Sequence, residues 1–227
     1  MKIVAISDTH GQHRQITRSD IPDGDVLIHA GDFTRHGDIH ELEDFLDWFK
    51  DLPHEHKLFT AGNHDTCMEN YTHSTGKIPN KRKQERIKKL LSDHWYNDGI
   101  QYLHNEGKTI NGVTFCGLPY SNTLKGWSFN TSDKNTENPW SYIFDDTNVL
   151  ITHGPPHGLN DYIGETWGHI GDKKLREKVE ELKELKLHIY GHNHSTHGKA
   201  EGHPRSINAS ILDEDYNIED NAIEVTI

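Results

Sequence analysis

Residues 57–65, Lys-Leu-Phe-Thr-Ala-Gly-Asn-His-Asp, pass from a short apolar run straight into a polar cluster. The run has the length and composition of a buried strand. A polar cluster at the end of such a strand is costly to bury unless its side chains find partners. The same build recurs along the chain. Lys2 to Ser7 leads into Asp8-Thr9-His10, and Asp25 to Ala30 leads into Gly31-Asp32. Thr147 to Thr152 leads into His153-Gly154, and Leu187 to Tyr190 into Gly191-His192-Asn193-His194. Between the second and third of these strands lies the clearest helix, Asp38 to Leu52. Asp38 and Glu41 have capping-box spacing, and Ile39, Leu42, Phe45, Leu46 and Phe49 share one face. Strand, helix, strand in that order implies parallel pairing with a right-handed crossover. In such an α/β sheet the strand-end loops converge on one crevice.

Further along, Lys81 to Ser92 is expected to be a basic helix burying Ile87, Leu90 and Leu91, preceded by a loop containing Gly76 and Pro79. Asn111-Gly112 between Lys108–Ile110 and Val113–Cys116 predicts a hairpin with a type I′ turn. Leu118 to Asp145 is long and polar, and such a loop in a compact domain is usually functional or disordered. Gly171 to Lys186 is expected to be a helix with Leu175, Val179 and Leu182 inward. Arg205 to Leu212 and Ala222 to Ile227 are expected to be strands that pair antiparallel with each other. No repeat or linker interrupts the sequence, so residues 1–227 are expected to form one domain.

The chain has 227 residues, enough to bury a full core, and a net charge of −12. That charge argues against duplex DNA and anionic membranes, which need a basic face. It leaves a phosphate-bearing substrate open, because bound divalent ions can reverse the sign of a site. Two cysteines, Cys67 and Cys116, make no disulfide framework and suit a cytoplasmic chain. There is no signal-like start and no apolar run near the ~20 residues of a membrane span. The 19 histidines are scattered along the chain, so only some serve as ligands.

The five polar blocks offer two carboxylates, an amide and several imidazoles, a set that suits a pair of divalent metal ions. Imidazoles favour Mn, Fe, Ni or Zn over Mg, and we take manganese first. Two dications roughly 3.5–4 Å apart need a bridging anion. Asp32 is placed for it, following a strand and a glycine that lets the backbone approach. Asp8 and His10 both reach one site if the chain turns at Thr9, while Asn63 offers an amide oxygen. His153, His192 and His194 add imidazoles. A water or hydroxide between the ions would be the in-line nucleophile. His64 is assigned as general acid, with Asp65 beside it as its orienter. Each block alone has a plain reading, such as a turn, an N-cap or a surface histidine. Their ordered conjunction carries the inference.

These blocks resemble the calcineurin-like metallophosphoesterase superfamily, whose pattern is D-x-H, G-D, G-N-H-D/E, H, G-H-x-H. Gly31-Asp32-Phe33-Thr34, Thr152-His153-Gly154-Pro155-Pro156 and Ile207-Asn208-Ala209-Ser210 resemble its MPPED-type subgroup of small phosphodiesterases. The resemblance implies a four-layer αββα sandwich. It implies one metal on Asp8, His10, Asp32 and His194 and a second on Asp32, Asn63, His153 and His192. It also implies hydrolysis of phosphodiesters, including cyclic nucleotides. Because His192 is kept, an active enzyme is expected.

The expected partner is a small phosphate ester, with nucleic acid and membrane set aside and a homodimer left open. A phosphomonoesterase is the rival enzyme reading; a same-superfamily exonuclease ranks lower for a short acidic chain. A protein-binding scaffold with decayed ligands is the non-enzyme reading. His157 and His197 lie close to these blocks and are candidates to touch a phosphate or leaving group, although plain surface roles are the better expectation; for Arg35 a phosphate clamp and a solvated turn are equal expectations. Trp127 and Phe129 are expected to pack against the sheet rather than to stack on a ligand.

Overall fold

The computed structural model describes residues 1–72, 81–122, 126–131, 138–200 and 204–227, with side chains up to 69 in the first segment. The predicted loop around Gly76 and Pro79 lies outside them, as do parts of the 118–145 connection. The strands sort into two mixed sheets. One runs β11-β1-β2-β3-β4, built from β1 (Lys2–Ile6), β2 (Val26–His29), β3 (His56–Phe59), β4 (Ile100–Tyr102) and β11 (Ile223–Thr226). The other runs β5-β6-β7-β8-β10-β9. Its strands are β5 (Glu106–Ile110), β6 (Val113–Leu118), β7 (Val149–Thr152), β8 (Leu187–Tyr190), β9 (Gly198–Ala200) and β10 (Arg205–Asn208). Helices flank the pair, giving the α/β sandwich that the family pattern implied.

Residues on alternate faces of each strand explain the layering. Ile3, Ala5, Val26, Ile28 and Leu58 from the first sheet meet Phe115, Val149, Ile151, Leu187 and Ile189 from the second in one apolar layer. The opposite faces, including Val4, Ile6, Leu27 and Phe59, pack against Leu42, Phe45, Leu46 and Phe49 of α1 (Ile39–Lys50). Phe33, Phe45, Phe49 and Phe59 stack there as a ring cluster. Asp38 caps α1, its carboxylate accepting from the His40 amide at 2.9 Å while Glu41 reaches back to the Asp38 amide. On the other outer face, α4 (Lys173–Glu181) buries Leu175 and Val179.

β2, α1 and β3 form the expected parallel unit, with Ile28 opposite Leu58. Asn111 and Gly112 both take positive φ, 49° and 79°, as a type I′ hairpin requires. Several expectations need correction. The basic helix, α3 (Lys81–Asp98), runs longer than expected; Ile87 is fully buried, and Leu90 and Leu91 pack partly buried against the core on the expected face. α4 is shorter, because Asp172 caps its start through the Leu175 amide and the chain turns extended at Leu182. The two C-terminal strands do not pair with each other. β11 joins the first sheet antiparallel to β1, and β10 joins the second parallel to β8. The segments are alike in local pattern, and long-range pairing alone decides which sheet each one enters. Among the described residues, no helix is long and apolar enough to cross a membrane.

Candidate metal centre

The parallel strands β1, β2 and β3 end side by side, as do β7, β8 and β10, and the two sets of ends meet. Ser7 pairs with Ser210 in a parallel bridge between the sheets, and the Ile211 amide donates to the Ser7 carbonyl at 3.2 Å. Asp8 and His10 follow β1, Asp32 follows β2, and Asn63, His64 and Asp65 follow β3. His153 follows β7, and His192 and His194 follow β8. The structure therefore brings every residue predicted as a metal ligand into one crevice.

Four of these positions are non-glycine residues in the left-handed region: Asp8 at φ 57°, His10 at 42°, Asp32 at 53° and His192 at 69°. Such conformations cost free energy and persist only where surrounding bonds enforce them. The enforcing bonds are present. The Asp8 amide donates to the Gly31 carbonyl at 3.0 Å, the His10 amide to the Asp32 carbonyl at 3.0 Å, and the His192 amide to Asp8 Oδ2 at 2.9 Å. A Cβ on Gly62 would collide with Asp32 Oδ1 and the His153 ring, and one on Gly191 would collide with Asp8 Oδ2. The two glycines are thus required by the close approach of ligand-bearing loops.

The donor atoms face one another. His153 Nε2 lies 3.0 Å from Asn63 Oδ1 and 3.3 Å from Asp32 Oδ2. His194 Nε2 lies 3.5 Å from Asp8 Oδ1 and 3.3 Å from His10 Nε2. His10 Nε2 is 3.9 Å from both Asp8 Oδ1 and Asp32 Oδ2. Ligands about 2.0–2.2 Å from a common ion sit about 2.8–3.6 Å apart at octahedral to tetrahedral angles, so the closest of these spacings suit coordination. Among the described residues, three of the four groups able to hold a metal lie in this crevice: Asp8–His10–His194, His10–Asp32–His64 and Asp32–His153–His192. Asp8 Oδ1 is buried without a hydrogen-bond partner, an orphan acceptor that a cation would satisfy. The residues present fit a divalent metal.

Ring orientation is set from behind. His153 Nδ1 donates to the Ala30 carbonyl at 3.0 Å, and His194 Nδ1 donates to the Asp213 carbonyl at 3.0 Å. A carbonyl partner requires Nδ1–H, so in both rings Nε2 is the nitrogen that faces the crevice, free to coordinate once its proton is displaced. Electrostatics follow from burial and charge. Burial lowers His10 to about 4 and His192 to about 3. Burial also pushes His153 down, but the Asp32 charge beside it carries it up to about 9. His194 is raised in the same way, Asp8 outweighing burial. Burial would raise Asp8 and Asp32, yet the surrounding imidazoles hold both carboxyls below the usual range. Divalent ions would compete with protons for His153 and His194.

His64 needs a correction in its partner. Its Nδ1 donates to the Arg35 backbone carbonyl at 3.0 Å. The Asp65 carboxylate points elsewhere, accepting from the amides of Asp32 (2.8 Å), Thr34 (2.9 Å) and Gly62 (2.8 Å) and from Thr34 Oγ1 (2.7 Å). Asp65 is fully buried, and burial together with the Asp32 charge pushes its carboxyl up to about 8 against those bonds. Neighbours in sequence face opposite ways here, so Asp65 ties the β2 and β3 loops together while a backbone carbonyl orients His64.

Residues without an assigned role in the sequence also reach the site. Ser210 Oγ donates to Asp8 Oδ2 at 2.8 Å, and Asn208 Oδ1 receives the Ser210 amide at 3.1 Å. Tyr216 places its ring 4.9 Å from His10 and 5.1 Å from His194, centroid to centroid. Trp127 is 43% exposed, with its ring 4.5 Å from that of His64, so it forms a wall of the cleft and does not pack on a sheet. Phe129 and Trp140 are buried as expected of core aromatics. His197 Nδ1 donates to the Ser210 carbonyl at 2.7 Å, a structural contact. A cleft of about 600 Å³ opens beside the centre, lined by Asn63, Trp127, Trp167, His192, His194 and Tyr216 among others.

The model of the calcineurin-like phosphoesterase family matches residues 1–196. The chain belongs to this family. It is 40% identical over 216 residues to a UPF0046 protein of Caenorhabditis elegans, covering 92% of this chain and 69% of that one. It is 31% identical over 229 residues to metallophosphoesterase domain-containing protein 1 of Homo sapiens, covering 95% and 67% respectively. These relatives place the chain in the MPPED-type subgroup. The phosphopantetheinyl hydrolase of Mycobacterium tuberculosis shares the fold at a TM-score of 0.56 and 15% identity, with 95% of this chain and 90% of that one covered. Family membership makes this chain a metal-dependent phosphoesterase, and the His/Asp groups described above are its candidate metal-binding groups.

Proposed function

We propose that the chain, a single domain over residues 1–227, is a dinuclear phosphodiesterase acting on small phosphodiesters such as cyclic nucleotides. The observation that carries this reading is the pair of His/Asp clusters that meet around Asp32 beside an aromatic-walled cleft. Asp8, His10 and His194 would hold one ion and Asn63, His153 and His192 the other, with Asp32 placed to serve both. Manganese is the first choice. When bound, two such ions supply Lewis acidity to the phosphoryl oxygens and lower the pKa of an attacking water.

The chain's own residues do the rest. His64, fixed through Nδ1 on the Arg35 carbonyl, keeps Nε2 to protonate the departing ester oxygen. Asp65 and Thr34 lock the loops that carry Asp32 and His64. Trp127, Trp167 and Tyr216 present apolar surface at the cleft. That surface favours an organic group on the second ester arm, which supports a diester over a bare monoester. Buried, unpaired Cys67 and Cys116 support a reducing compartment, and we place the enzyme in the cytoplasm.

The test is hydrolysis of a bis-aryl phosphodiester and the matching monoester by metal-stripped protein with Mn²⁺ added back. Diester turnover dependent on metal is the expected result and leads to a cyclic-nucleotide screen. Monoester turnover alone replaces the reading with a phosphatase. Two tightly held ions without turnover of either ester would favour a binding scaffold.

A further inference from the structure

A second convergence of metal-type donors lies apart from the Asp32 centre. His157, Asp161 and His169 each offer a ligand atom, and these atoms lie within 4.8 Å of one another. Asp161 is fully buried at the base of the group. Its Oδ1 is 2.7 Å from His169 Nδ1 and its Oδ2 is 3.3 Å from His157 Nδ1.

Main-chain bonds fix all three positions. The His157 amide donates to the Asp172 carbonyl at 3.1 Å, and the Ile170 amide to the Asp161 carbonyl at 2.9 Å. Tyr162 and His169 pair across an antiparallel bridge, which returns the chain to Asp161. The Gly171 amide holds Asp161 Oδ2 at 3.1 Å. The carboxylate is therefore positioned independently of the two rings.

One atom in this group is unexplained by protein contacts. His157 Nδ1 is buried and makes no hydrogen bond, although Asp161 Oδ2 is 3.3 Å away. A nitrogen close to a carboxylate but misaligned for a hydrogen bond has the geometry of two ligands aimed at a shared third point. The His157–Asp161 separation of 3.3 Å falls within the about 2.8–3.6 Å expected between ligands of one ion, and the His169–Asp161 separation of 2.7 Å lies just below it. A further orphan lies nearby. Trp140 Nε1 is buried without a partner, and Trp140 lines a cavity of about 400 Å³ together with His157 and His169.

We propose that His157, Asp161 and His169 form a third metal site, separate from the Asp32 centre. Two imidazoles with one carboxylate select a zinc-class divalent ion over magnesium or calcium. Three protein ligands leave a coordination position for water or an anionic group. His169 also lines the cleft that holds His192 and His194, so the ion stands in the wall between the cavity and the active-site cleft.

The test is metal content. Metal-stripped wild type, His157→Ala, His169→Ala and Asp8→Asn are loaded with Zn²⁺ and desalted, and zinc per chain is measured. A parallel Co²⁺ titration follows visible absorption. The expected result is about one ion per chain fewer in His157→Ala and in His169→Ala, with loss of one Co²⁺ spectral component. Asp8→Asn should keep that component. Both His157 and His169 are partly exposed, so their truncation leaves the core untouched. Equal zinc content and identical Co²⁺ spectra in wild type and the two histidine variants would overturn the third site. If Asp8→Asn alone lost metal, the dinuclear reading would stand while this one fell. The reverse pattern would keep the third site and remove the dinuclear reading.

Discussion

The first sheet supplies both aspartates and the amide, from the loops after β1, β2 and β3, while the second supplies three imidazoles, from the loops after β7 and β8. Neither sheet holds an ion well alone: the first set is anionic and short of nitrogen, and the second lacks charge to offset a dication. The two halves are stitched at the site itself, where Ser7 pairs with Ser210, the His192 amide and Ser210 Oγ grip Asp8 Oδ2, and His153 Nδ1 reaches the Ala30 carbonyl. The lesson is that metal affinity here is also a measure of sheet-on-sheet packing. The inter-sheet layer of Ile3, Ile28, Phe115, Ile151 and Ile189 sets the distance between donor sets.

The largest effect that would break this division is expected at Asp32. Asp32→Ala removes the carboxylate proposed to be shared and should lower activity by about a thousandfold or more, since several kcal/mol of charge stabilisation would be lost at about 1.4 kcal/mol per decade. Metal analysis should show reduced occupancy; two retained ions would deny Asp32 its bridging role. Next is His64→Ala, expected to cost about 10²–10⁴-fold on esters with poor leaving groups and far less on an activated aryl ester. Metal content should be unchanged. Equal losses on both esters would remove His64 as the acid.

Ser210→Ala sharpens the comparison, because Ser210 comes from the second sheet and acts on an aspartate of the first. Loss of its bond to Asp8 should weaken metal binding about 10–100-fold, read by competition with a chelator. An unchanged affinity would mean the His192 amide positions Asp8 by itself.

The smallest effect concerns one buried neutral histidine in each sheet. Burial lowers His29 on β2 and His188 on β8 to about 3. Their unfolded pKa is about 6.5, so below that pH the unfolded chain binds protons that the folded chain refuses. Their stabilising contribution is thus complete above pH 6.5 and is lost as pH falls towards 3. Each should cost about 1 kcal/mol at pH 5.5. Metal-free His188→Gln should show a shallower decline in melting temperature between pH 7 and 5 than wild type. A parallel decline would assign the acid sensitivity elsewhere.

Much of this architecture was legible in advance, wherever local chemistry leaves a local mark. An apolar run followed by Gly-Asn-His-Asp or Gly-His-Asn-His marks a strand end with polar work to do. Asp38 and Glu41 mark a helix start, and Asn111-Gly112 marks a type I′ hairpin. Reading failed where the deciding partner was distant in sequence. β10 and β11 looked like an antiparallel pair, yet each pairs with a strand of a different sheet. Asp65 looked like the orienter of its neighbour His64, yet consecutive side chains diverge and the Arg35 carbonyl does that job. Trp127 had the composition of a core residue but stands at the cleft, and Tyr216 gave no signal at all.

The sequence by itself therefore determined the candidate donor chemistry, because donor type and order are properties of residues: two carboxylates, an amide and the imidazoles at successive strand ends. Only the tertiary structure decided which sheet each donor comes from, which nitrogen of His64, His153 and His194 faces the crevice, and how His157, Asp161 and His169 meet. Those depend on backbone pairing and on carbonyls far along the chain, and a main-chain carbonyl is the same in every residue, so no local pattern announces it.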